Sequence, residues 1–159
     1  MAEKKTIERA RKNARQAKAP STQAGEFVRE EIEHVRKGKH GAGSAKQAIA
    51  IGLSKARRAG VKLAPPSKGT TSEKTRKSAQ RAYEKGQAQK PVARKRSAAS
   101  EKALKREPRQ AASRAALSIQ AKSAARRRTA ADRSAAARKG ARTKASRGRS
   151  EAGTRAGKR

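Results

Sequence analysis

The sequence has no cysteine and no tryptophan, and its 159 residues hold one phenylalanine, one tyrosine and one methionine. The missing thiols exclude a disulfide framework and any thiolate metal site. The near absence of aromatic rings excludes a base-stacking platform for single strands and the usual RNA-recognition sheet. No apolar run approaches the ~18 residues of a membrane span. The N-terminal MAEKKTIERARKNARQAK has basic residues but no apolar stretch, so no secretory leader is expected, and the early Glu3 and Glu8 count against an organelle transit peptide. Negative charge is scarce as well: 12 acidic residues stand against 45 lysines and arginines, for a net charge of +33. Self-repulsion of that size opposes compaction unless anions bind.

Large apolar side chains are few. Of the residues counted as hydrophobic, 36 are alanine; 16 larger ones remain, and nine of these lie in 21–63. High net charge with so few large apolar groups is a signature of disorder, because burial cannot offset the entropy of ordering the chain. The expected fold class is mostly α with extensive disorder: one helical hairpin, about 21–63, flanked by basic, helix-prone or disordered arms. The divisions expected are a basic N-terminal arm (1–20), the hairpin (21–63), a Pro/Gly linker (64–71), a basic Ala-rich helix-prone region (72–138) and a disordered basic tail (139–159).

In the arm, Thr6 is placed to cap a short helix that Pro20 ends. Residues 21–37 read as a firm helix with Ser21 or Thr22 as cap. Ala24, Val28, Ile32 and Val35 form its apolar stripe, Glu26, Glu30 and Glu33 its far side, and Phe27 falls off the stripe. Gly38–Gly43 is a turn, and Ser44 caps a second helix. That helix carries Ala45, Ala48, Ile49, Gly52, Ala56 and Ala59 on one side, with Gly60 as its left-handed stop and Pro65-Pro66 beyond. Gly52 costs about 1 kcal/mol in a helix interior relative to alanine, so a close approach of two backbones is expected there. A core this small is marginal alone, so the hairpin must lean on a second copy, a partner or its own flanks. Ile51, turned away from the small stripe, is the expected contact. Further on, Thr70 and Glu73 have capping-box spacing for a helix over 71–85 that stops at Gly86. Ser100 is placed to cap SEKALKRE, and 110–138 has high helix propensity but almost no core face.

The stretch GEFVREEIEHVRKGKHGAGSAKQAIAIGLSKARRAG, 25–60, resembles a small bacterial domain of unknown function marked by a QAIAIGLS-x-AR-x-AG helix after a glycine-rich turn. The resemblance implies a bacterial protein and a compact helical module, and supplies no catalytic residues. In composition alone, the C-terminal half resembles the basic tails of linker-histone-like bacterial proteins.

Polycation binding to nucleic acid is the leading functional expectation, because each neutralised phosphate releases counterions. The hairpin carries nine basic and four acidic residues and the remainder 36 and eight, so the arms supply most of the drive. The expected phosphate contacts are Lys46, Arg57, Arg58 and Lys62 in the hairpin and Arg126, Arg127 and Arg128 in the densest basic run. The Ser44–Lys46 helix start is a further place for a single phosphate. Base reading is not expected, since a supporting third helix is lacking. Glu26, Glu30, Glu33 and Ile51 form the expected protein-contact surface. His34 and His40 flank the turn, where a metal site would also need Glu30 or Glu33; turn histidines are the simpler reading, and neither a metal nor another cofactor is expected. The composite expectation is a non-enzymatic, sequence-nonspecific DNA-binding protein of the cytoplasm and nucleoid, with duplex DNA favoured over RNA. The alternatives are a ribosome- or RNA-associated basic protein, and a protein-interaction hairpin that a basic tail localises.

Overall fold

The computed structural model describes residues 2–91 and 93–156. It contains α1 (Lys4–Arg15), α2 (Pro20–Arg36), α3 (Ala45–Arg58), α4 (Glu73–Gln87), α5 (Arg94–Leu104), a 3-10 turn (Gln110–Ala112), α6 (Arg114–Arg126) and α7 (Ala130–Ala156), with no strand among the described residues. The chain divides into two compact units, Met1–Leu117 and Ser118–Arg159.

The expected hairpin is the centre of the first unit. Pro20 opens α2 rather than closing α1, in the first turn where its missing N–H costs nothing. Ser44 caps α3 by accepting from the Gln47 N–H. At the far end Gly60 takes a left-handed conformation (φ +88°) and the Val61 N–H returns to the Ala56 carbonyl. Between the caps, α2 and α3 touch backbone to backbone. A Cβ on Gly52 would sit 2.7 Å from Val28 Cα and 3.0 Å from Val28 N. Replacing a helical glycine by alanine normally gains about 1 kcal/mol. Here Gly52→Ala is expected to cost about 1–3 kcal/mol by overpacking, read as a lower urea midpoint; a stabilised variant would show that the helices are not in contact.

What the hairpin leans on is its own chain. The N-terminal arm is not a free arm: α1 packs on α2, with Thr6 and Ala10 buried. Thr6 is not its cap; Glu3 holds that position, and Thr6 lies inside the helix at 1% exposure. This docking also reverses the expectation for Phe27, which is fully buried with Ala10, Ala24, Ala56 and Val61, flanked by Ile7, Leu53 and Leu63. From the other side, residues 104–117 close the turn. The Gly41 N–H donates to the Leu104 carbonyl (2.8 Å), the Ala42 N–H to the Pro108 carbonyl (3.0 Å) and Arg36 Nε to the Ala112 carbonyl (2.8 Å). Ala111 and Ala112 thereby join Ile32, Val35, Ala42 and Ala48 in a second core cluster.

Other helix ends differ from expectation as well: Ala19, not Ser21 or Thr22, holds the cap position of α2. Ser72, not Thr70, caps α4, accepting from the Thr75 N–H. Gly86 is not a stop but a buried position inside α4, where a Cβ would meet the Arg57 carbonyl; this glycine lets α4 close on the end of α3. In α5, Ser100 is interior rather than a cap. Ten of the fourteen buried hydrophobic residues among those described are alanine.

In the second unit, α7 extends through most of the tail where disorder is expected; the last three residues of that tail lie outside the described residues. Every described side chain of α7 is exposed. Such a helix is held by propensity alone, and an isolated helix of this kind is marginal in water.

Candidate functional site

The C-terminal half of α2 alternates carboxylates, an imidazole and apolar groups, and the fold turns the carboxylates inward. Glu30 is 3% exposed and Glu31 0%. The Glu3 backbone N–H donates to both Glu30 oxygens (3.3 and 3.2 Å), which seats the start of α1 on α2. Arg9 of α1 pairs with Glu26 at 3.2 Å. The acidic surface expected to meet a protein partner is thus largely taken up in cis: Glu26 and Glu30 hold α1, and of the three only Glu33 stays exposed, beside Lys37 at 3.7 Å. Ile51 is half-buried and lines a cavity of about 700 Å³.

That cavity lies within the first unit and is walled by α3, α4 and α5, with Glu31, His34 and His40 at one side and Arg58, Lys85 and Arg96 among its cations. Lys55 Nζ stands 2.6 Å from Glu31 Oε2 and 3.8 Å from Glu30 Oε1. His40 Nε2 stands 3.3 Å from Glu31 Oε1, while its Nδ1 lies 3.0 Å from the Gly41 carbonyl. A carbonyl oxygen only accepts, so Nδ1 carries a proton. His34 Nε2 and Lys39 Nζ each approach Glu3 Oε1 at 2.8 Å. Hydrogen bonding from Lys39 first, and from His34 second, lowers the Glu3 carboxyl from its ordinary 4.5 to about 2. A depressed carboxyl favours the folded form above its ordinary value and ceases to do so as pH falls toward the folded value. The tether of α1 is therefore fully present above pH 4.5 and is lost as the pH falls toward 2.

The expected phosphate-binding residues separate. Lys46, Arg58 and Lys62 are exposed in the first unit, and Arg126, Arg127 and Arg128 are exposed in the second. Arg57 is a correction: at 6% exposure, its Nε donates to the Leu63 carbonyl (3.1 Å) and its Nη2 to the Ala64 carbonyl (3.2 Å), and burial pushes its pKa down. Its guanidinium ties the chain beyond α3 to the helix and is not presented to solvent as a phosphate contact. Arg57→Met is expected to cost about 1–3 kcal/mol by leaving two carbonyls unpaired. It should leave the salt dependence of DNA binding unchanged, whereas Lys46→Ala should lower that slope by about 1. At the Ser44–Lys46 helix start, the Gly43 N–H already donates to Gln47 Oε1 (3.1 Å) and the Gln47 N–H to Ser44 Oγ (3.1 Å), so two of the amides a phosphate would use there are occupied.

The hairpin with its glycine-rich turn and close-packed Gly52 is the part of the chain with a recognisable relative. Residues 15–68 match a family of unknown function, DUF6496. The matched stretch runs from the end of α1 through the hairpin, and it contains the whole resemblance over 25–60. Within the DUF6496 segment lie Phe27, the Glu30–Glu31 pair, both histidines and Arg57. The residues that complete its core, Ala10 on one side and Ala111 and Ala112 on the other, lie outside it. Comparison with curated proteins and with solved structures finds no match. Among the described residues no helix is long and apolar enough to cross a membrane.

Glu31 is the residue the sequence reading passed over. A Glu-x-x-His spacing on a helix puts both groups on one side, and Glu31 and His34 have it; that signal was present.

Proposed function

We propose that the protein binds nucleic acid, duplex DNA before RNA, through phosphate-backbone contacts without strong sequence preference, and associates with the nucleoid in a non-enzymatic role. The observation that carries this reading is the sorting of charge by depth. Among the described residues, Glu30 and Glu31 are buried and Glu26 is nearly so, each beside a basic group or a backbone N–H, while the lysines and arginines are exposed apart from Arg57, which is buried, and Lys55 and Arg76, which are partly buried. The accessible surface is therefore more positive than the net charge alone conveys. Such a surface recruits a polyanion by counterion release. The second unit adds 14 basic residues against two acidic ones, on helices with no buried face among their described residues.

Titration of the full chain with unrelated duplexes across about 50–200 mM salt tests the reading, with ribosomal RNA as competitor. Similar affinities for different duplexes and a steep salt slope are expected. Complete displacement by equimolar RNA would move the assignment to the ribosome, and weak binding at low salt would remove nucleic acid altogether.

A further inference from the structure

We propose that Glu31, His34 and His40 form a binding site for one Zn²⁺ ion, which ties the end of α2 to the glycine-rich turn. One ligand atom from each residue lies within 4.8 Å of the other two. The donor set of two imidazoles and a carboxylate suits zinc, which commonly takes three protein ligands of this kind and a fourth oxygen.

Three independent features single out this cluster. First, Glu31 is completely buried and neither carboxylate oxygen has a hydrogen-bond partner. Lys55 and His40 approach at 2.6 and 3.3 Å but outside hydrogen-bond geometry. Buried carboxylate oxygens without hydrogen bonds are costly; the Lys55 ammonium offsets the charge at Oε2, and a metal ion would satisfy Oε1. Second, His40 is held in the form a ligand needs. Its Nδ1–H is used by the Gly41 carbonyl, which leaves Nε2, facing Glu31 Oε1, as the ring nitrogen available to a metal ion. This is the arrangement by which proteins orient metal-binding histidines. Nε2 and Oε1 stand 3.3 Å apart. Third, that separation is what two ligands of one tetrahedral zinc require, about 3.3 Å for bonds of about 2.0–2.1 Å.

His34 completes the set. It is 9% exposed, and its ring stands edge-on to that of His40 with centroids 6.1 Å apart. His34 supplies the third ligand, and a water from the adjoining cavity supplies the fourth oxygen. Glu31 Oε2 keeps Lys55 as its outer partner.

The test is titration of the full-length, chelator-treated protein with ZnCl2, followed by calorimetry, and with CoCl2, followed by visible absorption. One equivalent of zinc is expected to bind and raise the thermal midpoint. Cobalt is expected to give the intense bands of a four-coordinate ion, a readout that needs no variant. Loss of an outer-shell partner alone typically costs about 10–100-fold in metal affinity, so His40→Gln and Glu31→Gln are each expected to weaken binding by more than about 100-fold. His40→Gln, at the turn, is checked for native helix content by circular dichroism. The proposal is overturned if the unmodified chain takes up no stoichiometric zinc, if cobalt keeps its hydrated spectrum, or if folded His40→Gln binds as tightly as the parent.

Discussion

Duplex binding by the full chain is expected to weaken about 10³- to 10⁵-fold when salt rises from about 50 to about 200 mM, the loss that follows from about six to ten phosphate contacts. The magnitude comes from the number of counterions released, not from any single contact, so no one lysine should account for it. The two units are expected to share the effect. Ser118–Arg159 holds 14 of the 45 basic residues, so its deletion should lower the slope of log K against log salt by about a third and leave the remainder. Measuring both chains by fluorescence anisotropy on the same duplex separates the possibilities. A slope that vanishes with the deletion would place the whole interface in the tail. A slope near zero in the full chain would mean that the positive surface has some other use.

Phe27→Ala should be the most damaging single truncation. The ring is fully buried, and it is the largest side chain in the cluster where α1, α2 and α3 meet. Truncating such a ring costs about 3–5 kcal/mol, the lost transfer free energy plus that of the cavity left behind. A domain of this size has about 5–15 kcal/mol to lose, so the thermal midpoint should drop on the order of 15 °C. The neighbours do not close the gap easily, because Ala10, Ala24 and Ala56 are too short to reach into it. A loss below about 1 kcal/mol in urea denaturation would mean that α1 is not seated over this ring.

Much of the hairpin was legible because its signals are local. Ser44 and Gly60 act through hydrogen bonds and torsions within a few residues, and both stand where the sequence places them. Gly52 was legible for a different reason: a glycine in a helix interior is costly, and a close approach explains the cost. The seat of Phe27 was not legible. At 100° per residue it falls off the stripe of α2, and only the docking of α1 makes its side an interior. The same docking turned Glu26 and Glu30 from an outward surface into a tether. Arg57 was misread because a long cationic side chain is usually a solvated one, and its two carbonyl partners come from chain that turns back past the helix end. The largest omission has one physical source. Weighing the core by large apolar residues gave the flanks nothing to fold with, yet Ala10, Ala79, Ala82, Ala111 and Ala112 carry those flanks into the interior.

A core made of methyl groups changes what mutation can do to this protein. In most domains harm comes from removing atoms, and the interior is forgiving of exchanges among large residues. Here any change to a larger residue at the ten buried alanines adds volume to the core, and at Gly41, Gly52 and Gly86 the first added carbon already meets neighbouring backbone. At these alanines and glycines the tolerated sequences are bounded from above in volume, and only at Phe27, Ile32, Val35 and Val61 from below. Variation is steered to the outer surface, where lysine, arginine and serine can be exchanged at little structural cost. Part of the alanine-rich composition that looks like low complexity is, at the ten buried positions, a steric specification.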